Sequence, residues 1–137
     1  MGIEIVFISN LGEVTKAIDN TIKERMSEAV QSVRSEVLQT LTGPRSGRTY
    51  KVPGTQRTYT ASAPGQPPAQ VTGELRQSIS SEVEGEGKKI VGRVGSDKKK
   101  APMLEFGTKN MAPRPFLRPT FEKTAGKVKE IFIRRWF

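Results

Sequence analysis

The sequence predicts an α+β fold: a small antiparallel or mixed sheet packed by a long N-terminal amphipathic helix and a C-terminal helix, with a long irregular loop between them. Three observations carry that expectation. Apolar residues recur in steps of three or four between residues 11 and 41, they do so again between residues 121 and 136, and residues 79–95 alternate apolar with polar. Steps of three and four keep side chains on one helical face, whereas alternation puts them on one face of a strand. A chain of 137 residues has the length of one domain with a single core.

The short β-branched run at residues 3–8 suits a strand, and Ser9 and Asn10 then offer helix-capping side chains. The first helix follows from Leu11, Val14, Ile18, Ile22, Met26, Val30, Val33, Val37 and Leu41, with Gly43 and Pro44 as its stop signal. Residues 43–71 lose all periodicity: the segment is rich in Pro, Gly, Ser and Thr, and its sizeable apolar side chains are Tyr50, Val52 and Tyr59. No regular element is expected there, and a connection of that length is usually a functional loop or an arm that is mobile until it is bound. Thr72 is placed to cap a short helix over residues 73–78. Residues 79–86 and 89–95 flank a Gly-Glu-Gly turn at 85–87 and read as one hairpin. Pro102 and Gly107 bracket a one-turn helix. In the last helix, starting at Pro119, the stripe is Phe121, Ala125, Val128, Phe132 and Trp136, widened by Ile131.

Composition removes whole classes of chemistry. The chain has neither Cys nor His, which rules out thiolate ligands and nucleophiles, disulfides, His-dependent triads and the commonest zinc sites. Its aspartates are Asp19 and Asp97, no Gly-rich phosphate loop is present, and no metal-ligand spacing occurs. Neither catalysis nor a cofactor is expected. With no long apolar run and no basic leader at its start, the chain is expected to be soluble and made in the cytoplasm.

The net charge of +9 is unevenly spread. Residues 1–42 hold four basic and six acidic side chains, while residues 96–137 hold eleven basic and four acidic ones. Such an excess suits a polyanionic neighbour, or else a solvated surface. Lys98, Lys99 and Lys100 form the densest run and are the candidates for facing a nucleic acid. A small basic protein that binds nucleic acid without specificity is the alternative reading, although the few aromatics form no stacking platform. A membrane-surface helix built on Lys127, Lys129, Arg134 and Arg135 with Phe132, Trp136 and Phe137 explains the C-terminal spacing less simply than a core-facing stripe does.

Five pieces of the chain together resemble the head–tail joining, or tail-component, family of long-tailed bacteriophages. They are residues 50–55 (YKVPGT), 59–69 (YTASAPGQPPA), 72–79 (TGELRQSI), 104–108 (LEFGT) and 111–119 (MAPRPFLRP), in the order and rough spacing of the family. Five such pieces in one order make coincidence improbable. The resemblance implies a single neck-protein domain over residues 1–137 that acts as a structural virion protein at the head–tail junction. It implies a homo-oligomeric ring between head-closure or connector proteins and tail-terminator or tail-tube proteins, with genomic DNA passing through the lumen and no membrane partner.

The residues expected to build such contacts lie in irregular segments that have little to bury within one subunit. They are Tyr50, Val52, Pro53 and Tyr59 in the long loop, and Phe106, Arg114, Phe116 and Leu117 downstream, where closely spaced prolines fix the backbone path. Glu105 sits in an apolar turn and, if buried, needs a partner, for which Arg114 and Arg76 are the candidates.

Overall fold

A computed structural model describes residues 1–69 and 73–134. The fold is α+β. Strand β1 (Gly2–Ile8) leads to helix α1 (Lys16–Thr40), followed by two short strands, β2 (Thr49–Lys51) and β3 (Thr58–Thr60), and by helix α2 (Glu74–Ser78). Strands β4 (Ser80–Glu86) and β5 (Lys89–Gly95), helix α3 (Lys100–Phe106) and helix α4 (Leu117–Ile133) complete the chain.

The main sheet is antiparallel in the order β1-β5-β4, so β5 takes the centre although β1 comes first in sequence. Alternation sorts its two faces. Ile3, Ile90 and Val94 are buried on the inner face, where Ile5, Phe7 and Val83 also pack against the core. Helix α1 lies across that face through Ile22, Met26, Val30, Val33 and Val37. Gly92 permits the close crossing: a Cβ there would stand 2.4 Å from Val30 Cγ2 and 2.7 Å from Met26 Sδ.

Helix α1 begins later than the apolar spacing suggests. Thr15 is its N-cap and accepts from the Ile18 N–H at 3.3 Å, whereas Ser9 accepts from the Leu11 N–H at 3.2 Å in a local turn. Leu11 is exposed and Val14 half-buried, so a connection running over the core imitates one more turn of the helix stripe. The β4–β5 turn is likewise Gly87-Lys88 rather than residues 85–87. Gly87 has φ of 63°, the positive value a two-residue turn of this kind requires at its first position, and Gly85 remains in the ladder opposite Ile90.

Helix α4 packs antiparallel beside α1. Its N-terminal half meets the end of α1, with the Thr40 and Thr120 hydroxyls 3.1 Å apart, and its C-terminal end meets the middle of α1, where Arg134 pairs with Glu28. The buried residues are Leu117, Thr120, Thr124 and Ile131, so the inward stripe is rotated from the expected one, and Phe121 and Ala125 are exposed. The two buried threonines are satisfied within the helix, donating to Phe116 O at 2.8 Å and Thr120 O at 2.7 Å. Phe132 is half-buried and stacks on Phe7 with ring centroids 5.2 Å apart, which favours the core-facing reading of this helix over a membrane-surface one. Thr72, Arg135, Trp136 and Phe137 lie outside the described residues.

The crossing at Gly92 generates a test. Gly92→Ala should destabilise the subunit by about 1–3 kcal/mol through overpacking against Val30 and Met26, read as a lower denaturant midpoint with an unchanged m-value.

Candidate assembly interface

The segment expected to be irregular contains a hairpin. Strands β2 and β3 pair antiparallel with Tyr50 opposite Tyr59, and the ladder continues through Val52 N–H to Arg57 O and Ala61 N–H to Arg48 O, both at 2.8 Å. The Tyr50 and Tyr59 rings lie 5.8 Å apart. Neither periodicity nor composition announced these strands because each is three residues long and the turn between them is carried by Pro53 and Gly54.

One side chain latches this arm to the body. The half-buried Arg45 guanidinium donates to Thr40 O at 2.8 Å, to Pro67 O at 2.8 Å and to Pro68 O at 3.1 Å. It thereby ties the end of α1 to the returning limb of the arm, and burial lowers its pKa from the ordinary arginine value without discharging it. Gln66 Oε1 accepts from Ser46 N–H at 3.1 Å and Ala63 N–H at 2.8 Å, closing the base of the arm. Beyond that base, β2 and β3 pair with each other and make no extensive contact with another described helix or strand. Tyr50 is 47% exposed, Pro53 is exposed, and Val52 and Tyr59 are half-buried.

The downstream candidates divide. Phe106 is 70% exposed and remains available to a partner. Phe116 and Leu117, expected at an interface, are instead buried within the subunit: Phe116 is fully enclosed and both belong to the hydrophobic core. The proline-rich path that suggested an outward anchor in fact turns the Phe116 ring under the start of α4. Phe121, read from sequence as core, is 54% exposed. With Phe106, Ile3, Leu117 and Arg118 it lines a groove of 330 Å³ beside β1.

Glu105 is buried, but its partners are not arginines. Its Oε1 accepts from the Leu117 N–H at 2.6 Å and the Arg118 N–H at 3.2 Å, capping a helix that has no side-chain cap of its own. Arg114 donates to Ala112 O at 3.1 Å, and Arg76 is exposed on α2. Glu105 Oε2 has no hydrogen-bond partner among the described residues.

A second buried charge escaped the sequence reading altogether. Arg25, on the inward side of α1, donates to Ile131 O at 2.5 Å and Arg134 O at 3.3 Å at the far end of α4. Its neighbour Met26 in the apolar stripe gave the only hint, since a helical position beside the stripe can reach an adjacent helix.

The basic run is partly neutralised. Lys98 and Lys100 reach Glu74 at 3.1 and 3.6 Å, and these lysines, the Lys98 hydrogen bond foremost, hold the Glu74 carboxyl below its usual range. Lys99 is exposed at the start of α3. Among the described residues no helix is long and apolar enough to cross a membrane, and no cluster of three potential metal ligands occurs.

Two outcomes check this partition. Phe116→Ala should cost the isolated subunit about 3–5 kcal/mol of folding stability, whereas Phe106→Ala should leave denaturant unfolding within about 0.5 kcal/mol of wild type. Brief trypsin treatment should cut after the exposed Lys51 and Arg57 well before Arg45, by mass spectrometry of the fragments; first cleavage at Arg45 would contradict the latch.

The family model described as "Bacteriophage HK97-gp10, putative tail-component" matches residues 6–107, which include α1, the arm, α2, the β4–β5 hairpin and α3. No curated protein and no solved structure matches the chain. A match over that span, in a chain whose arm, α2 and α3 carry the motifs read from its sequence, makes this protein a member of the HK97-gp10-like family of bacteriophage tail components.

Proposed function

We propose that this chain is a structural, non-catalytic virion protein of the phage neck, assembling as a ring that completes the tail at the head connector. Its residues 1–137 act as one neck-protein domain, and genomic DNA passes through the ring. Membership in a tail-component family supports a structural role in the virion. The observation that carries the oligomeric part is the arm. A two-stranded hairpin is marginally stable by itself in water, yet β2 and β3 project from the body with both tyrosines on one face and no extensive contact with another described element. Packing on a neighbour would complete that face, with Tyr50, Val52, Pro53 and Tyr59 as the contacting residues.

The second contact region is the groove beside β1, where Phe106 and Phe121 offer apolar area that the subunit leaves in water. Arg118 is the cationic side chain that lines this groove, and the half-buried Arg114 lies in the segment that leads into it. In this reading DNA meets Lys99 and the exposed lysines of α4, Lys127 and Lys129, through phosphate contacts that carry no sequence information.

Electron microscopy of the purified protein, alone and mixed with tails or DNA-filled heads, tests the assignment. Rings, or density for the chain between connector and tail tube, are the expected result. DNA binding should be weak, indifferent to sequence and steeply reduced between about 50 and 200 mM salt. Nanomolar, sequence-selective binding without ring formation or head–tail joining would establish the nucleic-acid-binding alternative in its place.

A further inference from the structure

Among the described residues the outer face of the main sheet is largely exposed, with Val91 buried and Arg93 half-buried, and its chemistry is the complement of the arm. The strand register places Glu4, Arg93 and Glu82 in one row, Val6, Val91 and Glu84 in the next, and Ile8, Lys89 and Glu86 in the third. Arg93 bonds Glu4 at 2.9 Å, Glu82 at 3.1 Å and also Glu84, so one guanidinium serves three carboxylates and the row remains negative. Those carboxylates, Glu84 foremost, raise the Arg93 pKa. Beside this acidic stripe Val6 is 44% and Ile8 64% exposed. The surface is therefore acidic along β4 and apolar along β1.

The arm carries the opposite charge. Residues 43–69 contain four cationic side chains and no carboxylate. Since side chains alternate along a strand, the ladder puts Arg48, Tyr50 and Val52 on the same face as Arg57 and Tyr59. Arginine with tyrosine on a protruding face is the composition of an interface anchor. The ladder from residue 48 to 52 spans roughly 17 Å and the seven-residue β4 about 24 Å, so the two are commensurate.

We propose that the Arg48–Tyr50–Arg57–Tyr59 face of the arm docks on the outer, Glu82–Glu84–Glu86 face of the sheet in a second copy of this chain. The inference rests on the ring reading above and specifies its contact. Each copy has one arm and one sheet face, so the contact is head-to-tail, and a head-to-tail contact that closes generates a ring. Arginines reach the glutamates that Arg93 leaves incompletely neutralised, while the tyrosines and Val52 cover the exposed Val6 and Ile8. Duplex DNA would satisfy the arm but not an acidic sheet face, whereas a second copy satisfies both.

Two charge-reversed variants test this. One is Arg48→Glu/Arg57→Glu; the other is Glu82→Lys/Glu86→Lys, which leaves Glu4 and Glu84 on Arg93. Thermal unfolding of each variant confirms its fold. By light scattering across a concentration series, wild type should form multimers that dissociate at about 1 M salt, where the screening length falls to about 3 Å. Each variant alone should remain monomeric, and an equimolar mixture should recover multimers, because each reversed arm then meets a reversed face. Multimers that persist in either variant, or a mixture that fails to assemble, overturn the docking while leaving the ring intact. If wild type is monomeric throughout, Arg57→Cys/Glu84→Cys in this cysteine-free chain is oxidised within assembled particles. A ladder of disulfide-linked chains supports the contact. Lysine cross-linked multimers without that ladder overturn the contact alone, and neither kind of multimer overturns the ring as well.

Discussion

Helix α4 has no capping side chain at its start and no basic side chain in its last turn, and both ends are completed by charges from elsewhere in the fold. Glu105, on α3, accepts the first amide protons, and Arg25, on α1, donates to the last carbonyls. A carboxylate at the positive end and a guanidinium at the negative end each match the helix dipole. Both are buried, and burying either charge without such partners would cost several kcal/mol. The arrangement therefore fixes where α3, α1 and α4 must sit relative to one another, and through α1 it fixes the sheet.

That constraint explains why the segment between α3 and α4 behaves unlike the arm, although both are rich in proline. Between Glu105 and Leu117 the chain must return to bring the α4 amides to the Glu105 carboxylate. Arg114 N–H donates to Leu104 O at 2.6 Å on the way, and Phe116 is drawn beneath the helix start. The arm is tied near its base, by Arg45 to Thr40 O and by the Gly65 N–H to Pro113 O at 3.0 Å, and its Tyr50–Tyr59 pair makes no extensive contact with another described helix or strand. Similar composition yields a core anchor in one place and an unpartnered surface in the other. The tether decides which.

Charge is distributed on the same logic. The cations of the arm and the carboxylates of the sheet face lie on surfaces the subunit itself does not join, whereas Lys98 and Lys100 are matched locally by Glu74. In the proposed contact the cations of the arm meet carboxylates that share the single Arg93 guanidinium, whereas a run matched locally has no such role. The net excess of +9 thus says less about partners than its placement does.

The sequence by itself determined the α+β class, the β4–β5 strands, the two amphipathic helices and the family, because these rest on local periodicity and on motif order. Of the residues it marked as contact candidates, the subunit leaves Tyr50 and Phe106 exposed and Tyr59 half-buried, but encloses Phe116 and Leu117. Only the tertiary structure decided the rest. Periodicity gives the spacing of a stripe but not its phase against a partner, so Thr120 and Thr124 replaced Phe121 and Ala125 on the inner face of α4 once their hydroxyls could bond carbonyls one turn back. Arg25 carries no local signal of burial, and the apolar turn around Glu105 gives no sign of its partners, because the groups that satisfy the two are backbone atoms 106 and 12 residues away. Contacts of that separation exist only after the chain has closed on itself.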